Sequence, residues 1–200
     1  MNDKERMLQG KLYNPYRIDN HNWLLGKKVL TQFNRIEANE LDKGIEILKT
    51  VMRNVGENTL IVPPLYYDHA DKTSIGYHCF INTDFMTIGD GSITIGNHVY
   101  IGPRVSIYTA AHPIDAFVRN KDLEIALPVT IKDNVWIGGN VVINPGVTIG
   151  NNVVIGSGSV VTKDIEDKVV AAGNPCKAIR TINEQDKVYW LKEYEEYINN

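Results

Sequence analysis

Cysteine is scarce: Cys79 and Cys176 are the only two in 200 residues. That excludes a disulfide framework and any Cys-x-x-Cys metal site. A basic excess is also missing, since 21 Lys and Arg against 24 Asp and Glu leave a net charge of −3. A general nucleic-acid binder would carry the opposite balance. The opening stretch MNDKERMLQGK has no apolar core, so no secretory signal is expected there. Long apolar runs are absent too. The longest uncharged stretch, residues 134–162, covers 29 positions, but Gly, Asn, Ser or Pro interrupts it every few residues. A bilayer span would be predominantly apolar. These absences point to a reduced, cytoplasmic protein with no membrane and no nucleic-acid partner.

What is present is an ordinary globular composition, 43% hydrophobic and 22% charged. A chain of this size can bury about 70% of its unfolded surface in one domain without a metal or disulfide. From residue 131 it breaks into sixes: IKDNVW, IGGNVV, INPGVT, IGNNVV, IGSGSV, VTKDIE. Positions one and five of these hexads are Ile or Val at 11 of 12 places, the exception being Ser159. Those two residue types make up only 42 of the 200 residues, so chance does not explain the pattern. An earlier block, IGYHCF, INTDFM, IGNHVY, IGPRVS, keeps the register apart from a slip at residues 87–94. Ile107 and Ile131 are 24 residues apart, again a multiple of six, so the stretch between them reads as an insertion that leaves the repeat and returns.

A period of six fits neither an α-helix nor an amphipathic hairpin. It fits short β segments joined by sharp corners, with β-branched residues facing inward. Gly and Asn at positions two and four suit corners that need a positive φ. Hexapeptide repeats of this kind build parallel β-helices. The expected organisation is a helical N-terminal region over residues 1–57, a β-helix over 58–180 with an inserted loop at about 109–128, and a helical tail over 181–200. Ile36, Leu41, Ile45, Leu48 and Met52 recur at helical spacing, as do Val188, Leu191, Tyr194 and Ile198. Both flanks are expected to cap and pack against the ends of the β-helix.

The hexads, the loop YTAAHPID, the run VWIGGNVVINPGVTIG and the segment ending AAGNPCKAIR together resemble the galactoside and maltose O-acetyltransferases of the hexapeptide acyltransferase superfamily. ERMLQGKLYNP and QFN resemble that subfamily's helical N-terminal region. The resemblance implies a mainly β fold, a left-handed parallel β-helix, although parallel crossovers are normally right-handed. It implies a homotrimer with sites at the subunit interfaces, and transfer of an acetyl group from acetyl-CoA to a sugar hydroxyl. No metal is required by that chemistry.

A sugar hydroxyl needs a base within hydrogen-bond reach, and histidine titrates in the right range. Of His21, His69, His78, His98 and His112, only His112 lies in the inserted loop, before Pro113. The resemblance makes it the catalytic base. Cys79 sits at an inward position, and Cys176 has no adjacent His, so neither reads as a nucleophile. By the same resemblance Asp68, Asn82 and Asp90 contact the acceptor, with Asn82 also assisting catalysis, and Glu124 lines that pocket. Corner-capping is the plainer role for the first three. Trp136, Gly139, Ser157, Thr162, Lys163, Lys177 and Arg180 fall where relatives contact CoA. The Gly139 N–H is placed as an oxyanion donor, and Lys177 and Arg180 suit phosphates.

The N-terminal segment departs from the family. The acidic acceptor contact falls on Asn14 or Pro15 and an arginine contact near Trp23, with Asp19 and Arg17 as possible substitutes. An antibiotic acetyltransferase would share His112 and CoA, and a non-catalytic hexapeptide scaffold is the remaining alternative.

Overall fold

The computed structural model describes residues 1–19 and 21–199. Three helices come first: α1 (Asp3–Leu8), α2 (His21–Phe33) and α3 (Leu41–Lys49). The solenoid begins at the strand Asn54–Val55, four residues earlier than the expected boundary at 58. Its three sides are parallel sheets of five, seven and five strands, the seventh strand of the second sheet running antiparallel. Each coil runs through the first, second and third sheet in turn. Val55, Ile75, Ile95, Ile131 and Ile149 point inward from the first sheet, Ile61, Ile81, Ile101, Ile137 and Ile155 from the second, and Ile107, Ile143 and Val161 from the third. All are buried in one continuous core.

The repeat's exception is resolved by hydrogen bonding. Ser159 is fully buried, donates to the Gly156 carbonyl at 2.5 Å and accepts from the Gly173 N–H at 3.1 Å. The corner reading needs a correction. Position four takes the positive φ, from His78 (51°) to Asn134 (58°), Asn140 (57°) and Asn152 (55°). Position-two glycines are needed for close stacking instead. A Cβ on Gly138 would lie 2.5 Å from the Ser157 hydroxyl, and one on Gly102 would lie 2.6 Å from the Gly139 nitrogen.

Leu30 and Phe33 of α2 and Ile45 and Leu48 of α3 extend the core beneath the first coil. Asn34, just past α2, exchanges two hydrogen bonds with the Leu65 backbone, at 2.9 and 2.8 Å. At the other end, Lys177–Thr181 returns antiparallel to Val169–Ala172. Helix α4 (Ala116–Arg119) lies in the inserted loop. Helix α5 (Glu184–Ile198) is capped by Asn183 and Asp186 but buries none of its side chains. The expected packing of its stripe is therefore not met within this chain: Val188, Leu191, Tyr194 and Ile198 are all exposed.

Candidate active site

The corner between the third and first sheets departs from the period of six. Eight residues separate the inward Tyr67 from Ile75, eight separate Thr87 from Ile95, and the inserted loop fills the third coil. The extra residues of these three coils stack and carry Asp68, Asp90, His112 and Glu124. Asp68 Oδ2 accepts from the Gly89 N–H at 3.1 Å while its Oδ1 pairs with Lys27 at 3.0 Å. Gly89 has φ +104°, and a Cβ there would lie 2.5 Å from the Ala110 nitrogen, so only glycine fits between the two excursions.

Asp90 is the centre of the cluster. Its Oδ1 accepts from Lys72 Nζ at 2.6 Å and from His69 Nε2–H at 2.9 Å, and its Oδ2 accepts from the Tyr13 hydroxyl at 2.9 Å. Burial alone would raise the Asp90 pKa, but the hydrogen bonds and charges of His69 and Lys72 override it and hold the carboxyl well below the usual range. Tyr13 is fully buried, and its hydroxyl also contacts Glu124 closely. Burial, then the two carboxylates, push its pKa upward, so the phenol stays neutral.

His112 is exposed, and its Nδ1 lies 3.2 Å from the Leu123 carbonyl oxygen. A carbonyl cannot donate, so Nδ1 carries the hydrogen, and whenever the ring is neutral its lone pair lies on Nε2. The loop around it is a short ribbon in which Ala110–Ala111 pairs antiparallel with Ile125–Ala126.

A second group lies elsewhere on the prism. Asn82, Gly102, Gly138 and Gly156 follow the second-sheet strands, each donating its N–H to the next coil's inward residue. Asn82 thus puts a side chain on a line that starts at Val62 and is glycine in the three following coils. Its Oδ1 accepts from the Thr83 N–H at 2.8 Å. Gly139 and Ser157 lie beside this corner. Trp136 stands on the outer face of the second sheet, in register with Tyr100, Val154 and, through Val170, Arg180. Lys177 and Arg180 are three apart and would face opposite ways on a regular strand. A register shift opposite Val170 and Ala171 pairs them with Ala172 and Val170, which share a face. Three strand spacings put Trp136 about 14 Å from the Arg180 position. The Arg180 guanidinium is held by Asp186 through two bonds of 2.7 and 2.8 Å. Thr162 and Lys163 are exposed on the His112 corner, two coils further on.

One chain therefore brings Asp68, Asp90 and Glu124 together near His112. It leaves Asn82, Gly139, Ser157, Trp136, Lys177 and Arg180 at another corner and face. The sequence reading missed Tyr13, Lys27, His69 and Lys72, whose carboxylate partners Asp68, Asp90 and Glu124 lie between 18 and 111 residues away. Only the spacing from Tyr67 to Ile75, two longer than six, could have flagged the coil that holds His69 and Lys72. A pocket of about 240 Å³ beside the cluster is lined by Tyr16, Ile18, Asp19, Trp23, His69 and Asp90. Asp19 and Trp23 thus border Asp90, whereas Arg17 is exposed in the 3-10 turn Pro15–Arg17 and Asn14 caps that turn. Among the described residues no group of three or more His, Cys, Asp or Glu is placed to hold a metal ion, and no helix is long and apolar enough to cross a membrane.

Residues 128–163 match the family described as bacterial transferase hexapeptide, six repeats. The chain is 43% identical over 171 residues to the galactoside O-acetyltransferase of Escherichia coli K12, covering 86% of this chain and 84% of that protein. Identity to the galactoside O-acetyltransferase of Lactococcus lactis is 41% over 159 residues, covering 79% and 77%. Among solved structures, a galactoside acetyltransferase in complex with coenzyme A superposes with a TM-score of 0.89 at 39% identity, covering 94% of each chain. A maltose O-acetyltransferase from Clostridium difficile 630 gives 0.87 at 43% identity, covering 92% of this chain and 98% of that one. With a six-residue repeat folded as a parallel solenoid and relatives this close over nearly its whole length, the chain belongs to the galactoside and maltose O-acetyltransferase family of hexapeptide-repeat enzymes and is an acetyltransferase.

Proposed function

We propose that this enzyme transfers the acetyl group of acetyl-CoA to a hydroxyl of a sugar of galactoside, maltose or glucose type, with His112 as general base. The observation that carries the reading is the His112 Nδ1–H bond to the Leu123 carbonyl, which leaves Nε2 as a free acceptor in the loop beside the carboxylate cluster. As the sugar oxygen attacks the thioester carbonyl carbon, Nε2 takes its proton. The proton then passes to the departing sulfur as the C–S bond breaks, so the base is regenerated. Asn82 and the Gly139 N–H supply polar contacts where negative charge builds on the carbonyl oxygen.

The carboxylates keep capacity for a sugar. A carboxylate has about four lone-pair sites. Asp90 uses three and Asp68 uses two within the chain, so each can still accept from a hydroxyl. Trp136, Ser157, Thr162, Lys163, Lys177 and Arg180 are assigned to CoA, the last two to its phosphates.

A homotrimer is the assembly we infer, and the separation of the two groups supports it. Asn82 and Gly139 lie at a different corner from His112, so a site using all three is completed by the matching corner of a neighbouring subunit. The exposed apolar stripe of α5 gives a further surface for such contacts. Light scattering should give about three times 22.5 kDa. CoA release measured against a panel of sugars, antibiotics and no acceptor tests the substrate class. His112→Ala should lower turnover by roughly 10²–10⁴ with acetyl-CoA binding unchanged. A variant keeping more than half the activity would remove the mechanism.

A further inference from the structure

We infer that Tyr13 is a positioning residue for His112: the N-terminal arm completes the small sheet whose carbonyl sets the histidine's tautomer. The inference rests on the reading of His112 as base.

The His112 ring is oriented by one acceptor, the Leu123 carbonyl. Leu123 lies in an exposed loop that the solenoid repeat does not fix, so something else must hold it. Its neighbour Glu124 is bonded by Tyr13 in both backbone directions, Tyr13 N–H to the Glu124 carbonyl and Glu124 N–H to the Tyr13 carbonyl, each at 3.0 Å. This antiparallel bridge extends the ribbon of Ala110–Ala111 and Ile125–Ala126 by a third segment. His112 follows one strand of that ribbon directly, and Leu123 precedes the other. The two ends of the bond that fixes the ring are thus held in one sheet, and Tyr13 is its outer member.

The Tyr13 side chain locks the arrangement. The ring is fully buried and packs with Met7 and Ala126, with Ile18 against them. Its hydroxyl contacts Glu124 on the ribbon and Asp90 on the neighbouring coil. Asp90 is itself fixed by Lys72 and His69. A continuous path of contacts therefore runs from Asp90 through the Tyr13 hydroxyl, whose one hydrogen the two carboxylates share, to the segment that presents Leu123 to His112. Misplacing a reacting group by about 1 Å can cost 10²-fold in rate, so loss of this brace should appear in turnover rather than in donor binding.

The test uses Tyr13→Phe and Tyr13→Ala in the full-length protein, with His112→Ala as reference. The readouts are kcat, acetyl-CoA KM and the ¹⁵N signals of histidine-labelled enzyme, the His112 ring being identified by its loss in His112→Ala. Tyr13→Phe keeps the buried ring and loses only the hydroxyl. It should lower kcat several-fold, and Tyr13→Ala should lower it by about 10–100-fold, both with acetyl-CoA KM unchanged. In both, the His112 signal should shift from Nδ1-protonated toward a mixture of tautomers, which a loss of stability alone would not cause. If Tyr13→Ala does not fold, Tyr13→Phe decides. An inactive His112→Ala alongside Tyr13 variants with wild-type kcat and tautomer would overturn this inference and leave the base intact. A fully active His112→Ala would overturn the base and this inference together.

Discussion

Replacing Asp90 by Asn keeps the shape of the side chain and removes the charge at the centre of the cluster. Asp90 receives Lys72 at 2.6 Å, His69 at 2.9 Å and Tyr13 at 2.9 Å, with only 11% of its side chain exposed. The Tyr13 hydroxyl can turn and accept from the new amide, so that contact adapts. Lys72 and His69 can still donate to the amide oxygen, but the acceptor they face is no longer charged. Hydrogen bonds to charged groups contribute about 1.5–3 kcal/mol each, and removing one partner of a buried pair costs about 3–5 kcal/mol. Lys72 is 22% exposed and can reach water, so the lower end applies. A loss of about 2–4 kcal/mol is expected, or a fall in Tm of about 5–15 °C for a chain of this length. Urea unfolding followed by circular dichroism, at one fixed protein concentration, measures it. The pH dependence gives a second reading. The folded pKa of Asp90 is depressed below its unfolded value, so the carboxylate's contribution is complete above about pH 5 and is lost as pH falls through the folded pKa. The gap between wild type and Asp90→Asn should therefore narrow below about pH 4. A difference under about 1 kcal/mol at pH 7, or a gap that does not narrow in acid, would refute the view that Lys72 and His69 stabilise an ionised Asp90.

Other perturbations separate the two ends of the site. Asp68→Asn should lower acceptor kcat/KM about tenfold with acetyl-CoA KM nearly unchanged, and steady-state kinetics in both substrates checks it. Arg180→Ala should instead raise acetyl-CoA KM, whereas Asp186→Asn, which frees the Arg180 guanidinium from its two bonds, should lower it. If Asp68→Asn and Arg180→Ala act on the same substrate, the assignment fails. Gly89→Ala forces a Cβ against the Ala110 nitrogen at 2.5 Å at a φ of +104°. It should destabilise by more than about 1 kcal/mol and lower turnover through the His112 ribbon, and a Tm within 1 °C of wild type would contradict that tight stacking.

The solenoid was legible because its core positions are nearly all Ile or Val, and inward packing on a pleated strand is what those residues do best. The position of His112 off the solenoid wall was legible because the 20 residues 109–128 do not fit the repeat between two in-register isoleucines. The cluster around Asp90 was much less so. Asp90 itself lies in the slip at residues 87–94, but its partners Tyr13, His69 and Lys72 carry no pattern of their own. Tyr13 reaches Asp90 across 77 residues and Glu124 across 111, and nothing in a one-dimensional period reports contacts made through a docked arm. The period also hides which corner a residue occupies. Asn82 and Asp68 read alike as corner residues of early hexads, yet they follow strands of different sheets. The apolar stripe of α5 was read correctly as helical, but periodicity gives a face and not the surface that covers it.

A coil of strict six-residue sides turns its corners in the fewest residues and leaves them almost bare, which suits stacking and little else. Side chains can be gathered into a site only where coils carry more residues than closure needs. Here three successive coils do so at one corner: residues 68–72, residues 89–92 and the inserted loop. Because parallel strands stack at about 4.8 Å, residues displaced at the same corner are brought within bonding distance of one another, as Asp68 is to Gly89, and the arm residue Tyr13 can touch both Asp90 and Glu124. Beyond Ile131 the same corner returns to six, from Ile143 to Ile149. There the wall is flat, and what it offers are exposed residues such as Thr162 and Lys163 along a track rather than a pocket. The bulky, charge-lined end and the flat end thus arise from one variable, the number of residues spent at a corner. On the proposed assignment, a compact acceptor would sit at the first, and the second would offer Thr162 and Lys163 to part of an extended donor.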